Sequence, residues 1–159
     1  MSTGATEFSV RPALASDATD LLQLMRELAA FEGYLAEFSV TVEDLLERGL
    51  DTERPQFRAY VAAAPTGALL GYAVLVEVAF TYDLHPDWRL KELYVSATAR
   101  QLGIGKALME TVIADARQHG CGRLKWDVLP DNSNAKQFYR QLGGEPVKDW
   151  EAWALALTP

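Results

Sequence analysis

One cysteine, Cys121, stands in 159 residues, so no internal disulfide can form and a secreted, disulfide-stapled scaffold is excluded. Histidine is nearly as scarce. His85 and His119 stand apart, with no Cys, His or Asp at metal-ligand spacing, and no metal is expected. No apolar run approaches the ~18 residues that suggest a membrane span, and Met1 to Phe8 lacks the basic-then-apolar pattern of a signal peptide. The expectation is a cytoplasmic protein without a membrane partner. Repeats, low-complexity tracts and linkers long enough to separate domains are also missing, so residues 1–159 read as a single domain. Basic residues are outnumbered, 15 against 22, for a net charge of -7. Nucleic-acid phosphates are repelled by such a surface, whereas a small cationic substrate is compatible with it.

What is present is a chain that is 49% hydrophobic, enough to bury a core. Phe8 to Arg11 alternates as a short strand ended by Pro12. Ser16 or Asp17 caps a helix whose apolar positions Leu21, Leu24, Met25 and Leu28 recur at helical spacing, and Gly33 stops it. A second short helix runs from Thr41, with Asp44 completing a near capping box, to Gly49. Phe57 to Ala64 and Leu69 to Ala79 are strands joined by Pro65-Thr66-Gly67, and Trp88 to Val95 is a third of the same kind. A strongly periodic helix carries Ala107, Leu108, Val112, Ile113 and Ala116 on one stripe. Arg123 to Leu129 predicts a strand, Ser133 to Leu142 a helix, and Trp150 to Leu157 a final strand, with another short strand near Glu145 to Lys148. The fold class is mixed α/β (α+β): about four helices flank a mostly antiparallel central sheet of six to seven strands, with one parallel pairing across the strand-helix-strand unit.

Between a strand and the N-terminus of the long periodic helix lies Arg100-Gln101-Leu102-Gly103-Ile104-Gly105-Lys106. Unpaired N–H groups and the helix dipole make such a terminus attractive to anions. Glycines admit close approach, and Arg100 and Lys106 add charge, so the turn suits a pyrophosphate. Neither a nucleoside-triphosphate loop nor a dinucleotide fingerprint fits: one residue separates the glycines, Ala107 follows Lys106, and Leu108 stands where a third glycine is needed.

Arg100-x-x-Gly103-x-Gly105, together with Asn132-Ser133-Asn134-Ala135-Lys136-Gln137-Phe138-Tyr139, resembles the phosphate motif and the Asn-x-x-Ala-x-x-Phe-Tyr segment of the GNAT superfamily of N-acetyltransferases. Glu27 to Glu32, Phe80-Thr81-Tyr82-Asp83, Leu90 to Val95 and Glu151-Ala152-Trp153 are similar to stretches of its diamine (spermidine/spermine) branch. The resemblance implies direct transfer from acetyl-CoA to the primary amine of a small molecule, diamine-like or basic amino-acid-like. A protein lysine or N-terminal acetyltransferase and a non-catalytic acetyl-CoA-binding regulatory domain are the alternatives. It implies that acetyl-CoA is held by Leu93, Tyr94 and Val95 and by Arg100, Gln101, Leu102, Gly103, Ile104, Gly105 and Lys106. Asn132 is either a further cofactor contact or simply a helix N-cap. A homodimer is expected on the same ground.

In the chemistry so implied, Tyr139 matches the family's general acid, a phenol able to protonate the leaving thiolate. Glu92 is the candidate base, since a partly buried carboxylate holds its proton more tightly. Glu32, Asp83, Glu151 and Trp153 are candidate substrate-side residues, three carboxylates and an aromatic face for a cationic amine. Where the diamine branch has two adjacent acids, this chain has Lys91-Glu92. A cation there repels a polyamine and attracts a carboxylate or phosphate on the substrate if it faces the site. Neighbouring strand residues ordinarily face opposite sides, which leaves the direction of Lys91 open.

Overall fold

The computed structural model describes residues 7–158. Residues 1–6, which carry most of the segment without a leader pattern, lie outside it. The chain divides into two compact units, Met1–Trp126 and Asp127–Pro159.

In the first unit, β1 (Ser9–Pro12), β2 (Arg58–Ala63), β3 (Leu69–Val78), β4 (Asp87–Val95) and β5 (Arg123–Lys125) form one sheet in sequence order. The first three pairings are antiparallel and β4 runs parallel to β5. The intervening α3 (Ile104–Gln118) is the crossover that a parallel pair requires. Residue parity then sorts the core onto the two faces. Val61, Tyr72, Val74 and Tyr94 meet Leu21, Leu24, Met25 and Leu28 of α1 (Ala18–Glu32). On the other face Gly71 lies against α3 so closely that an added Cβ would stand 3.2 Å from Ile104 and 3.4 Å from Leu108. From that face the Tyr60 hydroxyl donates to Asp115 of α3.

Asp17 occupies the N-cap of α1, one of the two positions the sequence offers. Its carboxylate accepts from Leu14 N (2.7 Å) and from the Arg11 guanidinium (2.6 Å), tying the helix start to β1. Arg11 and the Leu14 amide hold that carboxyl below the usual aspartate range. Gly33, at φ 87°, ends α1 in the left-handed region that glycine enters freely.

Three expectations need correcting. The helix predicted from Thr41 to Gly49 is one α turn, α2 (Val42–Leu45), closed by the expected Thr41–Asp44 capping box. It runs on into a π turn in which Asp51 N donates to Leu46 O at 2.9 Å. Second, β5 stops at Lys125 rather than Leu129. Third, among the described residues the sheet has five strands and not six to seven. Neither residues 145–148 nor Trp150 to Leu157 pair as strands; α4 (Ser133–Gln141) is the regular element of the second unit's described residues. An apolar run without a partner strand makes no ladder, since β-propensity expresses a half-buried environment more than a backbone preference.

Candidate active site

The register of β3 against β4 slips by one residue: Val74 faces Glu92, and Leu75 faces Leu90. Lys91 is therefore the extra residue of a β-bulge. The bulge breaks the rule that neighbours face opposite sides. Lys91 and Glu92 both line a cleft of ≈ 470 Å³, with Val74 and Val76 of β3, Met25 of α1, Asp44 and Arg48 from the α2 region, and Phe57. Lys91 thus lines this cleft beside the carboxylate. The wall is mostly apolar, with a balanced set of two carboxylates and two cations. Asp44 and Arg48 stand 3.7 Å apart, and Asp44 is largely occupied by its capping box.

Glu92 is half-buried, and burial pushes its carboxyl above the usual glutamate range. The Tyr72 hydroxyl donates to Glu92 Oε1 at 3.1 Å and opposes that rise, Glu32 adds to it, and Lys91 opposes it. Tyr34 and Tyr72 are pushed up in turn, first by burial and then by the Glu92 and Glu32 charges. Glu32, at the last turn of α1, thus shares the electrostatic neighbourhood of Glu92.

Beyond Arg89, the β4 edge toward β5 carries no ladder pairs among the described residues, because β5 pairs only with Asp87, Trp88 and Arg89. Leu93, Tyr94 and Val95 lie on that stretch. Arg100 follows, its Nε donating to Val95 O at 3.3 Å and its guanidinium stacked 5.4 Å over Phe31 and 5.9 Å over Tyr94. Gln101 (φ 68°) and Gly103 (φ 80°) turn the chain through the left-handed region into α3. The first helical bond there is Ala107 N to Gly103 O at 3.0 Å, so the N–H groups of Ile104, Gly105 and Lys106 have no intrahelical acceptor. Leu102 is partly exposed and Lys106 stands 3.8 Å from Glu110. Bare amides, left-handed turn and open strand edge fit a ligand with an anionic diphosphate and a strand-like amide arm.

Asp83 is engaged within the fold. It holds Arg123 bidentately at 2.9 and 3.0 Å, and Arg123 also reaches Asp87 at 2.5 Å. The guanidinium keeps the Asp83 carboxyl far below the usual range. In the second unit, Asn132 is an N-cap, its Oδ1 accepting from Ala135 N at 3.0 Å. Tyr139 lies on α4 with its ring 5.4 Å from that of Phe138. Trp153 Nε1 donates to Glu151 Oε2 at 3.2 Å. Sequence reasoning took Asp44 and Phe57 only as a cap and a strand start, and passed over Tyr72, Tyr34 and Arg48. The signal for Tyr72 was a phenol near the start of the apolar run Gly71 to Val76, where a buried hydroxyl needs a partner.

This fold and turn place the chain among the acyltransferases. Residues 21–144 match the acetyltransferase (GNAT) family, and the chain belongs to that family. It is 29% identical over 150 residues to a thialysine N-epsilon-acetyltransferase of Mus musculus, covering 91% of this chain and 88% of that protein. It is 30% identical over 159 residues to a spermidine/spermine N(1)-acetyltransferase-like protein 1 of Homo sapiens, covering 93% of this chain and 22% of that one. The structure of the aminoglycoside N-acetyltransferase AAC(6')-Iy in complex with CoA superposes with a TM-score of 0.73 at 19% identity, covering 98% of this chain and 99% of that one.

Proposed function

We propose that the chain transfers the acetyl group of acetyl-CoA to the side-chain amine of a small, zwitterionic basic amino acid. The observation that carries this reading is the placement of Lys91 and Glu92 on one cleft by the β4 bulge. A polyamine, with several ammonium groups and no anion, gains little from a wall on which Asp44 and Glu92 are balanced by Arg48 and Lys91. An amino acid offers a carboxylate for the cations and an amine for Glu92. The thialysine-acetylating relative acts on such a molecule. A diamine is the second reading, favoured by Glu32 acting on Glu92 and by the spermidine/spermine-like relative.

The thioester supplies an activated acetyl carbonyl. The free N–H groups of Ile104, Gly105 and Lys106 are proposed to hold the diphosphate, and the open β4 edge at Leu93 to Val95 the amide arm. Glu92 takes the proton of the bound ammonium. The neutral amine then attacks the carbonyl carbon, the N–C bond forms, the C–S bond breaks, and the nitrogen's second proton passes to solvent, from which the proton donor to the thiolate is replenished. Tyr139 is proposed to give its proton to the departing thiolate, on the strength of its sequence pattern and the acidity of a phenol. Asn132, Asp83, Glu151 and Trp153 remain candidates for the cofactor and substrate sides. Cytoplasmic location and assembly as a homodimer belong to the same proposal, the homodimer resting on the family resemblance. A thiol-release assay over thialysine, lysine, ornithine, putrescine, spermidine and a lysine-containing peptide tests the reading. The amino acids are expected to give the highest kcat/KM; binding of acetyl-CoA without release on any amine overturns it.

A further inference from the structure

Tyr72 is fully buried and lies where a phenylalanine would fill the same apolar space. Its ring is fixed on one side by Tyr94, centroids 6.3 Å apart and planes tilted by 53°, and on the other by the α1 residues of the core. A buried hydroxyl without an acceptor is unfavourable, and this one has Glu92 Oε1. The relation is unequal. The phenol is locked by packing, whereas a glutamate side chain has three rotatable bonds and adopts the direction its partner dictates. Oε2 accepts no hydrogen bond from the described residues, and it is not among the sealed, unpartnered buried atoms, a condition that falls to Glu27 Oε2 instead.

We infer that Tyr72 is a positioning residue for the base: it grips Oε1 of Glu92 and so presents Oε2 to the amine in the cleft. The inference rests on Glu92 being that base. Besides Tyr72 on β3, the groups acting on Glu92 are Glu32 on α1 and Lys91 beside it on β4, and Tyr34, just after α1, feels the Glu92 charge in turn. Asp44 and Arg48 line the same cleft from the α2 region. Burial and Glu32 make Glu92 hold its proton, and Tyr72 and Lys91 make it release. Removing the Tyr72 hydroxyl therefore leaves a base that is both less directed and slower to ionise.

The test is the pH dependence of kcat/KM for the amine in Tyr72→Phe, Glu92→Gln and the double variant, with acetyl-CoA affinity measured directly in each. In Tyr72→Phe the acid limb is expected to move to higher pH by about one unit, with activity at the former midpoint down about fivefold and acetyl-CoA affinity unchanged. In Glu92→Gln the limb is lost, and adding Tyr72→Phe changes nothing more. An acid limb that stays in place in Tyr72→Phe overturns the inference, whatever happens to the plateau. A limb that survives Glu92→Gln overturns the base assignment instead, so the two failures are distinguishable. Should Tyr72→Phe not fold, 3-fluorotyrosine at position 72 keeps the ring and donates more strongly. It stays protonated because burial and Glu92 hold this phenol far above its usual range. The limb then moves to lower pH, and an unmoved limb again overturns the inference.

Discussion

Lys91 and Glu92, adjacent in the chain, line the same cleft because Lys91 is the unpaired residue of a β-bulge between Val74 and Leu75 of the neighbouring strand. A regular ladder would have turned one of them away. Bulges next to active sites re-aim side chains in this manner, and here the result is a cation and the proposed base on one cleft wall.

Glu92→Gln is expected to lower turnover at neutral pH by about 100-fold or more, the usual range for a general base. It should also reveal a stability effect of opposite sign. Burial raises the native carboxyl above the unfolded value of about 4.3. Between the two values the native state keeps a proton that the unfolded chain has released, so stability falls as pH rises through that window. Glu92→Gln escapes this loss. Its melting temperature relative to the parent should climb across the window and level off above it; a difference independent of pH contradicts the burial assignment.

Tyr139→Phe is expected to reduce kcat by about 100-fold while leaving the acetyl-CoA dissociation constant in place, because it removes a proton donor and no binding surface. Thiol release and direct titration of the coenzyme read the two quantities separately. Unchanged turnover removes Tyr139 from the acid role.

Gly49→Ala tests the cleft wall. An added Cβ would lie 2.1 Å from the Phe57 ring, so the ring must shift out of a wall to which it contributes. The expected result is a loss of about 1–3 kcal/mol in stability and a raised KM for the amine with acetyl-CoA affinity kept. Denaturant unfolding and steady-state kinetics measure these.

Gly103→Ala tests the turn. At φ 80° an alanine costs about 1–2 kcal/mol, although the added Cβ meets nothing within 4 Å. Acetyl-CoA affinity is expected to fall about tenfold if that strain is relieved by shifting the helix start. Intact affinity would detach the diphosphate from the amides of Ile104 to Lys106.

How much of this was legible in the chain depends on the range of the interaction. The stripe of α1, the Gly33 stop, the Thr41–Asp44 box and the turn ahead of Ile104 are set by residues within a few positions of one another, and they stand where the sequence places them. On α3, Leu108, Val112 and Ala116 are buried as read, but Ile104 and Met109 are buried with them while Ala107 and Ile113 are half-buried. The bulge at Lys91 is a register slip between two strands, and no local pattern announces it. The Tyr72–Glu92 hydrogen bond joins residues 20 positions apart. Its trace was a lone hydroxyl in an apolar strand, while the candidate base alone drew notice through its motif. Asp83 drew notice through its motif, while its ion pair with Arg123, 40 positions away, left no local trace. Trp150 to Leu157 is an apolar run that reads as a strand, but composition cannot supply the neighbour that a ladder requires.

The most direct measurement is the ratio of kcat/KM for thialysine to that for putrescine in the parent and in Lys91→Glu. The cleft described above predicts a parent that prefers the amino acid and a variant in which the preference falls by about tenfold or more toward the diamine. A ratio that Lys91→Glu leaves unchanged would contradict the assignment of Lys91 and Glu92 to one substrate.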